Sequence, residues 1–364
     1  MKIRLQSSSS GIALVIVMLV ILVLATLAGA FAYSMKIETT LARNAENSSQ
    51  FEWLGRSGVE LARYVIAEQA KIPNEGNYEA LNQKWAGGSG GVGGSNSALA
   101  NISLQNVQLG AGTFSVKIID LERKFNINLA DQSVLRQAMT VMGVDASLTP
   151  AIGDAILDWV DKDDDAHLSG AESDYYMHLN PPYVAKNGPL DDISELLLIK
   201  GIFENPEIYW GSASTNHPVS AFQSRGNPIF NNKPPPSYPF GLVDFFTTLS
   251  SGKINLNTAS ATALQMIPTV DENIAAGIIQ LRSGPDGIDG TDDDLPLHNV
   301  GELVNVPGMR PQTVSQLSPY CDVRSFTFEV QVDVGLGGVT RHYFAVIRRG
   351  NRGSDFGILK FYWK

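Results

Sequence analysis

The chain has 364 residues, 44% of them apolar and 18% charged, which suits roughly two ordinary domains and is too apolar for disorder. With 27 Lys+Arg against 37 Asp+Glu the net charge is -10, so a nucleic-acid backbone meets no global attraction. The single cysteine, Cys321, excludes an intramolecular disulfide, a thiolate zinc cage and a Cys-x-x-Cys redox pair, and reads as a small buried residue.

Residues 12–35 carry no charge and are mostly Leu, Val, Ile and Ala. As a helix they span about 36 Å, enough for a bilayer core of about 30 Å. Lys2, Arg4, a serine run and Gly11 precede them. A secretory signal would share the basic start, and Ala28-Gly29-Ala30 offers it a cleavage site, but this apolar run is longer than a signal core. The helical pattern also continues: Ile37, Leu41, Phe51, Leu54, Leu61 and Val65 fall near one face, and no proline occurs before Pro73. One helix over about 12–71 is predicted, half in lipid and half packed on a domain.

Residues 87–97 are nearly all Gly, Ser and Asn and read as a loop; within it, 87–91 match a hydrolase nucleophile elbow but lack its strand and helix. Residues 102–107 and 113–120 alternate around Leu109-Gly110-Ala111-Gly112, a hairpin signal. At the far end, 325–334, 340–349 and 357–363 read as strands separated by glycine-rich turns, the last at 351–353. Between them lie amphipathic segments at 133–142, 150–159, 192–199, 259–266, 272–282 and 300–306, with a proline-rich divide at 234–239. A chain that begins a sheet, leaves it and returns predicts an α+β fold with a helical domain inserted between sheet strands.

Two acidic loops stand out. In 161–172, Asp161, Asp163, Asp165 and Glu172 hold positions 1, 3, 5 and 12 of a calcium-loop spacing, although Ala166 stands where the sharp turn wants glycine. In 284–294, Asp286, Asp289, Asp292 and Asp294 crowd a glycine-rich stretch. Oxygen ligands without nearby Cys or paired His suit calcium, at up to two sites; the alternative is a pair of solvated acidic turns. No catalytic constellation emerges: the five histidines are scattered and no phosphate loop occurs. Residues 256–268 and 302–309 resemble the halves of helix-hairpin-helix modules, but Pro268-Thr269-Val270 replaces the usual Pro-Gly and basic residues are sparse, which favours helix packing over DNA binding.

The leader ending in Gly11 and running into an apolar and then amphipathic helix resembles a type IV pilin or type II secretion pseudopilin precursor. Ile16 replaces the glutamate usual at the fifth mature position, which makes the chain similar to the K-type minor pseudopilin of type II secretion. Asn126-Ile127-Asn128-Leu129, Asp158-Trp159-Val160-Asp161, Tyr175-Tyr176, Pro189-Leu190-Asp191-Asp192 and Ile254-Asn255-Leu256-Asn257-Thr258-Ala259 extend that resemblance along the chain.

The resemblance implies a pilin-like helix on a small antiparallel sheet, divided as leader 1–11, helix 12–72, sheet 73–125, helical insert 126–320 and last strands 321–364. It implies cleavage after Gly11 by a prepilin peptidase, with Ile12 as the methylated terminus, and calcium in the insert. Ile16 then bears on assembly, because it cannot neutralise a neighbour's amino terminus in lipid. Expected partners are the I- and J-type minor pseudopilins and other pseudopilus subunits, with no nucleic acid. The expected location is the bacterial inner membrane, single-pass, with the carboxyl-terminal bulk in the periplasm. The implied role is nonenzymatic, capping and initiating the pseudopilus. A membrane-anchored helix-hairpin-helix DNA-uptake protein and a type IV minor pilin are the alternatives.

Overall fold

The computed structural model describes residues 10–73, 75–88, 98–211, 238–350 and 355–363. The expectations placed on leader residues 1–9, the loop at 89–97, the proline-rich stretch at 234–237 and the turn at 351–353 lie outside them.

Helix α1 (Ser10–Gln69) is continuous, as the absence of proline before Pro73 allows. Its described residues up to Gln50 are exposed. From Phe51 onward one stripe turns inward, with Phe51, Leu54, Val59, Ala62, Val65 and Ile66 buried against the sheet. Gly58 permits the approach: a Cβ there would stand 2.4 Å from Val332 Cγ1.

Strands β1 (Val107–Leu109) and β2 (Gly112–Asp120) form the first hairpin. The strand expected at 102–107 is reached only at Val107. Before it, Ser103 Oγ accepts from Gln105 N at 3.1 Å and Asn106 adopts φ 52°, so the chain bends there instead of extending. Four short strands follow: β3 (Phe125–Asn126), β4 (Phe246–Thr247), β5 (Ile254–Asn255) and β6 (Cys321–Asp322). Then come β7 (Thr327–Leu336), β8 (Val339–Arg349) and β9 (Phe356–Trp363). The main sheet is antiparallel in the order β1-β2-β7-β8-β9. Its β7–β8 connection is Gly337-Gly338, with φ of 59° and 80°, the pair of positive angles a two-residue hairpin needs. Alternation along β2 and β7 sends Phe114, Val116, Ile118, Val330 and Val332 into the core under α1.

Asp120 pairs with Phe328, so the chain leaves the sheet and rejoins it at one end of the same strand pair. The intervening residues form helices α2 (Gln132–Met142), α3 (Thr149–Val160), α4 (Ser173–Met177), α5 (Glu207–Trp210), α6 (Leu242–Phe245), α7 (Ala261–Leu264), α8 (Glu272–Arg282) and α9 (Pro311–Leu317). The segments expected as helices at 192–199 and 300–306 are 3-10 turns, Ile193–Leu198 and Val300–Asn305. Each is six residues long and closes on a bond to the residue three before, Ile199 N to Leu196 O and Val306 N to Leu303 O. Cys321 is fully buried in β6, which pairs with β5 inside the insert and not with the main sheet. Burial pushes its thiol up to about 12, which keeps it an unreactive packing residue.

A buried polar knot ties the two parts together. Asp120 Oδ2 accepts from Asn255 Nδ2, Thr258 Oγ1 and Ser325 Oγ, while Glu122 accepts from Ser251 N at 3.1 Å and Thr327 N at 3.0 Å. Beside it, Glu79 pairs with Arg349 of β8, takes Ser325 N at 2.7 Å and offers its carbonyl to Asn255 Nδ2 at 3.0 Å.

Candidate metal centre and membrane-spanning helix

Helix α3 is apolar except on one face, where Asp154 and Asp158 lie one turn apart. The following loop is wound around these two carboxylates. Asp158, fully buried, accepts from His167 N at 3.1 Å and Ala171 N at 2.6 Å, and also holds the His167 ring Nδ1. Asp154 accepts from Ser169 N at 3.1 Å and Gln132 Nε2 at 3.1 Å. Gly170 is required for closeness, since a Cβ there would lie 1.8 Å from Asp158 Oδ2. Neither helix aspartate belongs to the acidic run that marks the loop in the sequence. Their signal was two aspartates four apart in an apolar helix.

Of the residues singled out in this loop, Asp161 and Glu172 turn inward, while Asp163 and Asp165 are exposed. Asp163 Oδ1 spends its capacity on Asp165 N at 3.1 Å, so the alternating ligand pattern of an EF-hand is not reproduced. Glu172 is 5% exposed and both its oxygens are buried with no donor; Asp161 Oδ1 and Asn187 Oδ1 are buried and unpartnered as well. Asn187 is held to the loop by its Nδ2, which donates at 2.9 Å to Asp163 O and to Asp164 Oδ1. Ligand atoms of Asp158, Asp161 and His167 come within 4.8 Å of one another. Burial, followed by the charges of Asp158, Asp161, Asp164 and Asp163, pushes Glu172 up to about 7. Burial and then Asp163 and Asp158 raise Asp161, and the hydrogen bond to Asp158 raises His167. Orphaned carboxylate oxygens of Asp161 and Glu172, with the amide oxygen of Asn187 held against the same loop, are the donor types that a hard cation takes, so the residues present fit calcium.

The second loop differs. Arg282, the last residue of α8 and 4% exposed, donates Nε and Nη2 to both oxygens of Asp289 at 3.0 and 2.6 Å and Nη1 to Leu256 O at 2.6 Å. Asp286 accepts from Ile288 N, Asp293 from Asp286 N and Thr291 Oγ1, and Asp294 from Gly290 N. Asp292 reaches the cleft beside the loop. Among the described residues no carboxylate oxygen of 286–294 is both buried and without a donor. An arginine and the loop's own amides meet the charge here, so the fit to calcium rests on the first loop alone.

Gly11 lies in the first turn of α1 by its backbone. Ile12 and Ile16 are 68% and 57% exposed, in a stretch of mean hydropathy 3.1 with nothing packed on it. The helix is long and apolar enough to cross a membrane. The hairpin elements form two successive pairs, α7 with α8 and the Val300–Asn305 turn with α9. Over residues 250–322 there are nine Asp or Glu and three Lys or Arg, a balance that repels phosphate.

A family model described as type II secretion system protein K matches residues 106–209, from the first hairpin through the loop built on α3. A proposed type II secretion system protein K of Escherichia coli K12 is 26% identical over 215 residues, 55% of this chain and 60% of that protein. The Klebsiella pneumoniae protein K is 30% identical over 104 residues, 25% of this chain and 32% of that protein. Over residues 106–209 the chain is similar to the type II secretion system protein K family.

The matched stretches span about a third to three fifths of these protein K relatives. The fold agrees over a longer range. A chain of the GspK-GspI-GspJ complex from enterotoxigenic Escherichia coli is 18% identical, with a TM-score of 0.61 over 89% of this chain and 99% of that one. A helix-hairpin-helix model matches residues 250–322, which in this chain are the acidic hairpin pairs described above.

Proposed function

We propose that the chain is a nonenzymatic minor pseudopilin of a type II secretion system, standing at the pseudopilus tip with I- and J-type minor pseudopilins. The observation that carries this reading is the fold likeness to a chain of the GspK-GspI-GspJ complex, which spans nearly the whole of that chain. Two features support the tip position. Ile16 brings no carboxylate to the exposed apolar half of α1, so it offers no partner to a neighbouring amino terminus in lipid. The insert adds bulk at one end of the sheet, where a further subunit would otherwise stack.

The chain would be anchored in the inner membrane by α1, with its carboxyl-terminal bulk in the periplasm, after a prepilin peptidase has cut behind Gly11 and methylated Ile12. Calcium would be held by Asp161, Glu172 and Asn187 beside the Asp158–His167 pair. It supplies the positive charge that these oxygens lack.

Amino-terminal sequencing of the mature protein, with co-purification of the I- and J-type subunits, tests the reading. Methylated Ile12 and a complex of all three are expected, and Gly11→Leu should leave an uncut precursor. Normal shortening of that variant, or failure of the processed chain to join the other two subunits, overturns it.

A further inference from the structure

A cleft of about 760 Å³ separates the chain that follows α1 from the wall formed by residues 292–305. That volume is in the range of pockets that take a ligand of several side-chain lengths, roughly 300–1,000 Å³. Four carboxylates line it, Glu75, Asp292, Asp294 and Glu302, and among its described lining residues there is no Lys or Arg. The acidic lining alone would not define a site. Asn82 adds an independent observation: it lines the cleft, is 7% exposed, and its Oδ1 is buried with no donor. A buried amide oxygen left without a donor is unfavourable, and a ligand N–H would satisfy it.

The walls are set before any ligand arrives. Asn257 clamps Leu297 from both sides, its Nδ2 donating to Leu297 O at 2.9 Å and its Oδ1 accepting from Leu297 N at 2.9 Å. Glu302 accepts from His298 N at 3.0 Å and Asn299 Nδ2 at 2.8 Å, both neutral donors that orient the carboxylate and leave its charge in place. Tyr78 and His298 meet edge to face at 4.9 Å to form a rigid corner. Leu281 and Pro296 supply an apolar floor.

We infer that this cleft binds an extended peptide segment of another protein through an arginine or lysine side chain. The head group donates to Asn82 Oδ1 and the Glu302 and Asp294 carboxylates, while the aliphatic stem lies along the apolar floor. Charge complementarity carries the choice: acceptors crowd the lining, and Arg and Lys heads are pure donors on apolar stems. A bare metal ion would leave the floor and most of the volume unused. The inference does not depend on the pseudopilin reading.

The test uses the full-length protein in nanodiscs and calcium-containing buffer. The probes are a capped heptapeptide of Ala and Leu with one central arginine, the same peptide with neutral citrulline, and free agmatine. The arginine peptide should bind saturably, at least tenfold tighter than the citrulline peptide and than agmatine. Asn82→Ala should weaken it at least tenfold. Because Asn82 is buried, the Asp294→Asn/Glu302→Gln double variant provides a second check and should do the same. Equal binding of arginine and citrulline peptides, agmatine matching the peptide, binding that appears only when calcium is chelated, or full affinity in the double variant each overturns the inference.

Discussion

Glu172 has lost its water without gaining a donor, so in the ion-free protein it folds at a cost that a cation would remove. Calcium at about 100 times its dissociation constant is expected to add about 2.7 kcal/mol to the stability of the full-length protein in detergent. Thermal melting with calcium or with a chelator measures this. Glu172→Gln should lose most of the calcium response, whereas Asp289→Ala should keep it, because Asp289 answers to Arg282. A melting temperature indifferent to chelator would leave the first loop a solvated turn.

Glu122 carries a different pH signature. Burial, followed by the neighbouring Asp120, pushes it from 4.5 up to about 8; Asp120 is itself raised by burial, against the hydroxyls of Ser325 and Thr258. Glu79, Arg349 and Arg324 are the other charged groups of the knot. An acid raised on folding holds its proton better in the native state, so its contribution is intact below pH 4.5 and is lost as pH rises toward about 8. Over that window stability should fall by up to about 1.4 kcal/mol per pH unit. Denaturant titrations from pH 5 to 9 should show the decline, and Glu122→Gln should flatten it.

Among the elements, the α7–α8 hairpin carries local strain. Thr269 is exposed with φ 75°, a β-branched residue in the left-handed region. Thr269→Gly should relieve more than it loses to unfolded-chain entropy, raising stability by about 0.5–1 kcal/mol in equilibrium unfolding. A destabilised variant would show that the hairpin holds Thr269 by contacts worth more than its strain. This residue was visible in the sequence as the departure from Pro-Gly, and so were α1, α8 and the strands β7 to β9, whose periods are long and regular. The six-residue 3-10 turns were misread because they are too short for period to separate them from α-helix. The loop at 161–172 was half legible. Its acidic spacing located it, but which oxygens remain unpaired depends on Asp154, Asp158 and Asn187, and only folding brings these to the loop. The arginine that answers Asp289 was hidden for a similar reason, since the two lie seven positions apart in sequence across a loop.

On the scale of the whole molecule, two cores meet at the polar knot. Arg349→Met should strip Glu79 of its buried counter-charge and cost about 3–5 kcal/mol, read as a lower denaturation midpoint. A variant as stable as the parent would mean that the carboxyl group folds neutral. The exposed stalk of α1 from Ser10 to Gln50 is about 60 Å long at about 1.5 Å per residue, roughly twice a bilayer core, and near its end Ser48 Oγ accepts from Arg341 Nη1 of β8 at 3.2 Å. The meeting of Asp120 with Phe328 then acquires a mechanical meaning. Residues 121–326 occupy the place of a tight turn between two paired strands. A pull along the stalk enters the sheet through α1 and is shared along the β2, β7 and β8 ladders on which α1 lies. The inserted domain hangs off the end of that load path like a bob from a taut cord. It would be moved bodily without being stretched, and its loops would keep their shape under such a load.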